Sequence, residues 1–353
     1  MEERKAMVAM SGGVDSSVAA YLTARAGYRC IGAIARLCDS TLPGCADPDG
    51  SIADARAVAQ RLGMEFTVLE QTQRFRKEVV DYFADAYEQG LTPNPCVRCN
   101  SAIKFGALLE QALAMGCSKI VTGHYARIRK EEATGRYLLY KAADESKDQS
   151  YFLAGLNQHQ LSHTLFPLGD LTKEEARQIA LEQGFVNAKK KDSQDVCFIP
   201  DGDFASFLTR YTGKTYPQGD FLDLSGKVVG KHTGAIRYTL GQRKGLGLAM
   251  GAPVYVCGKD MASNTVTVGP NEALFTRDLI AGDWNWIVFP DLSHPIRVTA
   301  KARSRHAGAP ATVYPEADGK AKVVFDEPQR AITPGQAVVL YDGDLVIGSG
   351  TIL

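Results

Sequence analysis

A doubly wound α/β domain followed by β-rich modules is the architecture this chain predicts, and three observations carry the prediction. An apolar run, Val8-Ala9-Met10, ends in Ser11-Gly12-Gly13, and an amphipathic stretch with Val14, Val18, Tyr21 and Leu22 follows at once. That order reads as a buried strand, a tight glycine turn and a helix start. Strand-like and helix-like segments then alternate through the first part of the chain, which calls for a parallel sheet covered on both faces. Near Asp201 the character changes: from Gly213 onward there are short β-rich pieces, frequent glycines and no long helical period. Two or three domains suit a chain of 353 residues. The divisions expected are 1–200, 201–275 and 276–353, the last a small β-barrel.

Taken in order, Cys30 to Ala35 reads as the second strand, whose carboxyl end in such a sheet lies beside the glycine turn. The stretch from Cys38 to Ser51 is rich in turn formers and reads as a surface loop. A helix from Asp54 to Leu62, a strand from Glu65 to Leu69 and a longer helix from Phe75 to Gln89 come next. Pro93 and Pro95 then hold Cys96-Val97-Arg98-Cys99 extended ahead of a helix predicted from about Ile103 to Met115. Ser118 to Thr122 is a strand ending in a Gly123-His124 turn, and Tyr137 to Lys141 a short antiparallel addition. A helical stretch opens near Lys147, and a Thr-x-x-Glu capping box starts a helix at Thr172. Val254–Val256 and Thr265–Val268 pair as a hairpin, and from about Leu279 to Leu353 short strands alternate with turns such as Asp318-Gly319 and Asp342-Gly343.

Composition narrows the class. Hydrophobic residues make up 45% of the chain, enough for packed cores, and no apolar run approaches membrane-spanning length. Met1 to Lys5 leads straight into the first strand, so no signal peptide is expected and the protein is read as cytoplasmic, with no membrane partner. Lys plus Arg and Asp plus Glu are equal at 40 each, so nucleic-acid binding would have to come from local basic patches. Eight cysteines in such a chain are read as metal, redox or catalytic thiols rather than structural disulfides.

The turn after the first strand carries the strongest chemical signal. Gly12 and Gly13 let backbone N–H groups approach an anion, the helix start adds its positive dipole end, and Ser11, Ser16 and Ser17 offer hydroxyls. It is neither a Walker loop nor a G-x-G-x-x-G turn. Asp15 would repel phosphate unless a cation stands between them, which marks it as a Mg²⁺ ligand. Ser11-Gly-Gly-Val-Asp-Ser16 resembles the pyrophosphate loop of enzymes that split ATP into AMP and pyrophosphate. An ordinary strand-to-helix turn is the plain alternative.

The cysteines divide by context. Cys96 and Cys99 sit near a helix start with Arg98 and Lys104 close by, a setting that lowers thiol pKa values. Cys197 follows Lys189, Lys190 and Lys191. By itself it reads as a core residue. Cys30, Cys117 and Cys257 read as packing residues, while Cys38 and Cys45, in the turn-rich loop, are the candidates for a further metal or sulfur-relay role.

Seven motifs in order make the chain resemble the bacterial tRNA-specific 2-thiouridylases from nearly end to end. They are the loop, Asn94-Pro95-x-x-x-Cys99-Asn100-x-x-Ile103-Lys104-Phe105, Thr122 to Tyr125, Lys147 to Leu153, Asp192-Ser193-x-x-x-Cys197-Phe198-Ile199, Tyr238-Thr239-x-Gly241 to Gly247, and Thr333 to Gln336. The resemblance implies an α/β domain of the ATP pyrophosphatase type and insertion of sulfur at C2 of uridine 34 in the tRNA anticodon arm. ATP and Mg²⁺ would be used, with ATP held by Ala9, Met10, Ser11, Gly12, Gly13, Val14, Asp15, Ser16, Ala35 and Gly123. Sulfur would come from a cysteine desulfurase, a relay protein or free sulfide.

In the family's familiar scheme Cys197 carries a persulfide that Cys99 attacks. Many members have Asp where this chain has Cys96. Three thiols suit a [4Fe–4S] cluster with one open iron able to hold a hydrosulfide, and this reading is preferred because it gives the third soft ligand a role. The catalytic set is therefore Cys99, Cys197 and Cys96.

Contacts to tRNA are expected from Val97, Arg98, His124, Lys147, Asp148, Gln149, Arg243, Lys244, Arg303, Ser304, Arg305 and Gln336, with Arg237, Arg297, Lys301 and His306 nearby. For His124 a turn-stabilising role is the alternative. For the basic clusters it is a solvated face. Two rival functions remain: a thiolase or ligase with the same loop acting on another substrate, and an iron–sulfur RNA-binding sensor that uses ATP as a switch.

Overall fold

The computed structural model describes residues 4–39, 41–44, 48–190 and 196–353. The chain opens with β1 (Lys5–Ala9), α1 (Val14–Arg25), β2 (Arg29–Arg36), α2 (Pro48–Arg61) and β3 (Glu65–Glu70). Helices α3 (Thr72–Phe75) and α4 (Tyr82–Glu88) are joined by a π-helical segment, Arg76–Asp81. The same happens between α5 (Pro95–Cys99) and α6 (Leu108–Ala114), joined by π-helical Asn100–Ala107. Then come β4 (Lys119–Val121), the hairpin β5 (Arg127–Lys130) and β6 (Tyr137–Tyr140), α7 (Ser150–Leu153), α8 (Gln158–Ser162), β7 (Thr164–Leu165) and α9 (Lys173–Glu182).

Strands β3-β2-β1-β4-β7 form one sheet, with every pairing parallel. β1 and the middle of β2 are near-continuous runs of buried residues, as strands covered on both faces must be. One face packs on α1, α2 and α9 through Val18, Val58 and Ala176. The other packs through Leu108, Leu109 and Ile120 toward the barrel. The doubly wound order reverses between β1 and β4, so the carboxyl ends of β1, β2 and β4 open on one crevice.

After α10 (Phe204–Thr212), a four-stranded sheet runs β10-β11-β8-β9, built from β8 (Gly219–Leu222), β9 (Val228–His232), β10 (Tyr255–Asp260) and β11 (Thr265–Gly269). The predicted hairpin is the antiparallel β10–β11 pair. The last module holds β12 (Phe275–Trp286), β13 (Ile296–Lys301), β14 (Ala309–Pro315), β15 (Ala321–Arg330), β16 (Ala337–Asp342) and β17 (Leu345–Ile352). A β12–β17 pairing closes these six strands into a barrel, and the β5–β6 hairpin joins the same sheet beside β17. The barrel interior is Val298, Ala311, Val323, Phe325 and Val338, supplied by alternate residues.

Three expectations need correction. The Cys96–Cys99 segment is not extended ahead of a helix; it is the first turn of one, with Asn94 as N-cap accepting from Cys96 and Val97 N–H groups and Pro95 at the start. Proline is favoured there because its missing N–H is an orphan in any case. The second helix begins at Pro48 rather than Asp54. α10 was not foreseen among the β-rich signals, although its N-cap Asp203 and C-terminal Gly213 at φ +69° are regular end signals.

Arg136 ties the hairpin to the barrel by donating to the carbonyls of Ile287 (2.8 Å), Trp286 (3.1 Å) and Phe289 (3.4 Å). Arg136→Ala is expected to cost about 1–3 kcal/mol, since the Trp286 and Phe289 carbonyls lose this donor and Ile287 keeps only the Gln158 amide. Calorimetry should show a lower Tm while the affinity for ATP stays at the wild-type value.

Candidate active site

The glycine turn is shaped by its own serines. Met10 N–H donates to the Ala33 carbonyl (2.7 Å), tying the end of β1 to β2. Ser16 Oγ accepts from Ser11 N–H (3.1 Å) and donates to the Gly13 carbonyl (3.1 Å); Ser17 Oγ also donates there (3.0 Å). Ser17 is fully buried, so its hydroxyl holds the loop and does not face a ligand. Gly13 caps α1 without a side-chain hydrogen bond, which leaves the first N–H groups of a 12-residue helix for an anion.

Glycine is required twice here. Gly12 has φ +70°, and a Cβ there would lie 2.5 Å from the Ser51 carbonyl oxygen. A Cβ at Gly123 would lie 2.6 Å from the Ser16 nitrogen, so the β4 turn packs directly on the loop backbone.

Two adjoining cavities meet at this loop. One, of about 390 Å³, is walled by Ala9, Met10, Ser11, Asp15, Ser16, Ile34, Ala35, Ser51 and Gly123, with Leu37 and Ile52 completing its apolar side. Of the residues expected to hold ATP, Gly13 and Val14 line the second cavity instead, and Gly12 lines neither. The second cavity, of about 600 Å³, brings Cys96, Cys99 and Cys197 together with Lys104, Lys147, Lys173 and Lys190. Ser11, Asp15, Lys104, Gln149 and Cys197 belong to both walls.

The thiols are not the activated groups their sequence context suggested. Burial pushes Cys99 up to about 12 and Cys197 up to about 11, and raises Cys96 as well; Lys104 opposes the shift at all three without overcoming it. Cys96 and Cys197 reach solvent at the cavity surface, while Cys99 is buried. The expectation of lowered pKa values fails because a helix start and one ammonium are weaker than removal of the sulfur from water. Cys38 also departs from expectation: it is disulfide-bonded. It lines the nucleotide-side cavity, just after β2. Cys45 and residues 191–195, including Asp192 and Ser193, lie outside the described residues. Cys30 and Cys117 are buried packing residues, as expected, and Cys257 is half-buried.

Polar groups fix the rest. His124 Nδ1 lies 2.7 Å from Thr122 Oγ1, and its Nε2 is 3.3 Å from Lys104 Nζ. Burial and the Lys104 charge hold this imidazole well below the usual histidine range, so it is neutral and orients Lys104. Its ring is wedged between Phe105 and Phe166, which favours the positioning alternative over stacking on RNA. Gln149 Oε1 accepts from Tyr125 N–H (2.9 Å) while its side chain borders both cavities. Asp148 turns the other way and caps the backbone at Ala142 and Ser150. Asp15 is held by the Tyr125 hydroxyl (2.9 Å) and by Lys173, whose Nζ donates to both carboxylate oxygens (2.7 and 2.8 Å).

The expected tRNA residues separate into two groups. Arg243, Lys244 and Arg305 are exposed, and Ser304 is half-buried beside Arg305. Lys147 borders the thiol cavity, and most of the others have partners within the protein, Arg98 and Arg297 while still exposed. Val97 packs in the core, and Arg98 pairs with Glu78 (2.5 Å). Arg297 is neutralised by Asp326 (2.8 Å). Arg303 donates to the Ala331 carbonyl and to Thr333 Oγ1 (2.8 Å). Gln336 Nε2 donates to the Thr92 carbonyl (2.5 Å), and Thr92 N–H donates to Pro334 (2.9 Å). The Thr333–Gln336 turn thus props the segment that leads into the cysteine helix.

Lys173 and Asn187 were not identified from sequence. Asn187 Nδ2 donates to the Gly12 carbonyl and to Ser17 Oγ, both at 3.0 Å. The only local sign was the capping box that starts α9 beside Lys173.

A glycine loop at a helix start, at the switch point of a parallel sheet and with thiols across the cavity, defines an α/β protein built to hold a polyphosphate beside sulfur chemistry. Comparison with known proteins narrows the class. Residues 4–201 match the tRNA methyl transferase HUP domain family, 205–270 the tRNA methyl transferase PRC-barrel domain and 276–352 the aminomethyltransferase beta-barrel domain. Proteins named tRNA-specific 2-thiouridylase MnmA are similar throughout. The one from Clostridioides difficile is 46% identical, covering 99% of this chain and 98% of its own. Those from Heliobacterium modesticaldum and Moorella thermoacetica are each 49% identical over 98% of this chain, covering 92% and 98% of their own. The chain belongs to the tRNA-specific 2-thiouridylase family. A solved U34-tRNA thiolase from Methanococcus maripaludis aligns over 60% of this chain and 70% of its own, at 16% identity and a TM-score of 0.37, too slight a likeness to carry an argument.

The raised pKa values have a measurable sign. At neutral pH the apo thiols are protonated, so alkylation of Cys197 by iodoacetamide should be slow and rise roughly tenfold per pH unit up to about 11. Mass spectrometry across a pH series checks this; a rate already at its plateau by pH 8 would contradict the burial.

Proposed function

We propose that the protein adenylates the C2 oxygen of uridine 34 in tRNA with ATP and replaces that oxygen with sulfur. The observation that carries the reading is the placement of three thiols across one cavity from the pyrophosphate loop. The uracil C2 is flanked by two nitrogens and is a poor electrophile. Its oxygen attacks the α-phosphorus, the bond to pyrophosphate breaks, and the adenylated oxygen becomes a leaving group. The free N–H groups of α1 and the loop backbone stabilise the departing pyrophosphate. The apolar wall of the first cavity, Ile34 and Leu37, suits the adenine base at the end of β2. A sulfur nucleophile then adds at C2 and AMP departs with the former O2. The words methyl transferase in the family descriptions name another reaction; the thiols and the relatives' names favour sulfur.

Two sources of sulfur fit the cavity. In the persulfide route, the terminal sulfur of a persulfide on Cys197 adds at C2. Cys99 thiolate then attacks the Cys197 sulfur, the S–S bond breaks, 2-thiouridine is released, and a Cys99–Cys197 disulfide remains for an external thiol reductant. Such a persulfide would come from a desulfurase or relay protein. The donor set also fits a [4Fe–4S] cluster: Cys96, Cys99 and Cys197 supply three soft ligands around one cavity. Its chemistry there would be that of a sulfur-binding Lewis-acidic iron, and in this case free sulfide would serve as donor. Among the described residues no three His, Cys, Asp or Glu groups surround a single metal ion. Mg²⁺ would be carried on the phosphates, and Asp15 would anchor it only by exchanging its contact with Lys173. No helix among the described residues is long and apolar enough to cross a membrane.

Cys99→Ser and Cys197→Ser should each abolish 2-thiouridine, read by mass spectrometry of digested tRNA, while tRNA-dependent pyrophosphate release continues. Absence of that release in the wild type would instead favour the RNA-binding sensor. Iron and acid-labile sulfide measured on protein purified without oxygen separate the two sulfur sources. About four irons per chain, lost in Cys96→Ser, establishes the cluster. No iron, with a persulfide trapped on Cys197, establishes the other route.

Arg243, Lys244 and Arg305 carry the proposed phosphate contacts, because they are exposed and, unlike the exposed Arg98 and Arg297, form no ion pair among the described residues. Their combined replacement by alanine should weaken tRNA binding and flatten the log K against log salt plot by up to about 2–3 units of slope. An unchanged slope would assign them to a solvated face.

A further inference from the structure

Asp15 and Lys173 are 158 positions apart in sequence, yet they form the most enclosed ion pair of the site. The Lys173 side chain is 5% exposed and that of Asp15 is 31% exposed. Both border the cavity that holds the thiols, and Asp15 also borders the nucleotide cavity. The contact is a fork: one ammonium donates to both carboxylate oxygens, and the Tyr125 hydroxyl donates to Oδ1 from the side. Lys173 is in turn held at the first position of α9, where its backbone N–H donates to Asp144 Oδ2 (3.2 Å) and the Thr172–Glu175 capping box closes the helix start.

A carboxylate at the mouth of a loop built for polyphosphate is an electrostatic obstacle. Two like charges a few ångströms apart in a part-buried site repel each other. A metal ion carried on the phosphates lessens this obstacle only for a metal-loaded nucleotide. The lysine removes it beforehand.

We propose that Lys173 is the resident counter-ion of Asp15: a positioning residue that aims the loop carboxylate and cancels its charge, so that the polyphosphate end of a nucleotide enters without first requiring a metal. The inference rests on the reading of the loop as a pyrophosphate site. It also explains why a buried lysine stands on α9, an element that otherwise only covers the sheet. The ion pair links the start of α9 to the start of α1, which pack against each other through Ala176, Ala180 and Val18.

The test is titration calorimetry of the full chain with inorganic pyrophosphate in EDTA, after each variant's melting curve has established that it is folded. Lys173→Met leaves the Asp15 carboxylate uncompensated, so affinity should fall roughly tenfold or more. The double variant Asp15→Asn with Lys173→Met removes both charges together and should recover to within about threefold of wild type, because the repulsion has gone with the carboxylate. A merely structural ion pair would lower the Tm of Lys173→Met without changing affinity in the folded fraction, and that result overturns the proposal. So does a double variant that stays as weak as Lys173→Met, since it would make the ammonium itself the phosphate ligand. If the wild type binds neither pyrophosphate nor ATP, the function proposed above falls and this inference with it. If the wild type binds and Lys173→Met binds equally well, only the inference falls.

Discussion

The first turn of α1 begins with backbone N–H groups that no side chain caps. A helix end left in that state within a protein interior is costly unless a ligand or water satisfies it. The surroundings of the turn are arranged to keep it open to one kind of ligand. Ser16 and Ser17 spend their hydroxyls on bending the loop, Asn187 grips it from behind, and Gly123 comes close enough that no side chain can intervene. These contacts depend on the parallel order of the sheet, because only there do the ends of β1, β2 and β4 face one crevice.

The thiols are positioned from the opposite direction. The cysteine helix is capped by Asn94, and the segment before it is buttressed by the barrel through Thr92, Pro334 and Gln336. Arg303 braces that same barrel turn. A contact to the barrel, more than two hundred residues away in sequence, therefore sets where Cys96 and Cys99 sit relative to the loop. The π-helical segment after Cys99 carries Lys104 toward the same cavity, where neutral His124 holds it near the thiols. Widened helical turns of this kind are common at functional sites.

Burial in that cavity produces a division between protonation state and placement. Lys104 lowers each thiol's pKa, yet desolvation prevails at all of them. Cysteines stored as thiols resist adventitious oxidation and alkylation, and become nucleophilic when a reaction partner or metal alters the local charge. The same cavity gathers four lysines, a field suited to an anionic RNA backbone and to polyphosphate.

Much of this was legible in the residues. The strand–glycine–helix pattern, the alternation behind it and the change near Asp201 are local signals, and local signals report element type faithfully because periodicity follows from side-chain geometry. The capping box at Thr172 and the hairpin at β10–β11 were equally readable. What the residues alone could not convey is which charges are already paired and how far each thiol is removed from water. Arg98, Arg297, Arg303 and Gln336 are cationic or polar in any reading, and only the folded chain supplies Glu78, Asp326, Thr333 and Thr92 as their partners. Lys173 carries no motif, and its meaning appears only when α9 lies against α1. Sequence by itself determined the sheet, the loop and the cysteines; the tertiary structure decided their charge states and partners, because desolvation and ion pairing depend on neighbours that are distant in the chain and adjacent in space.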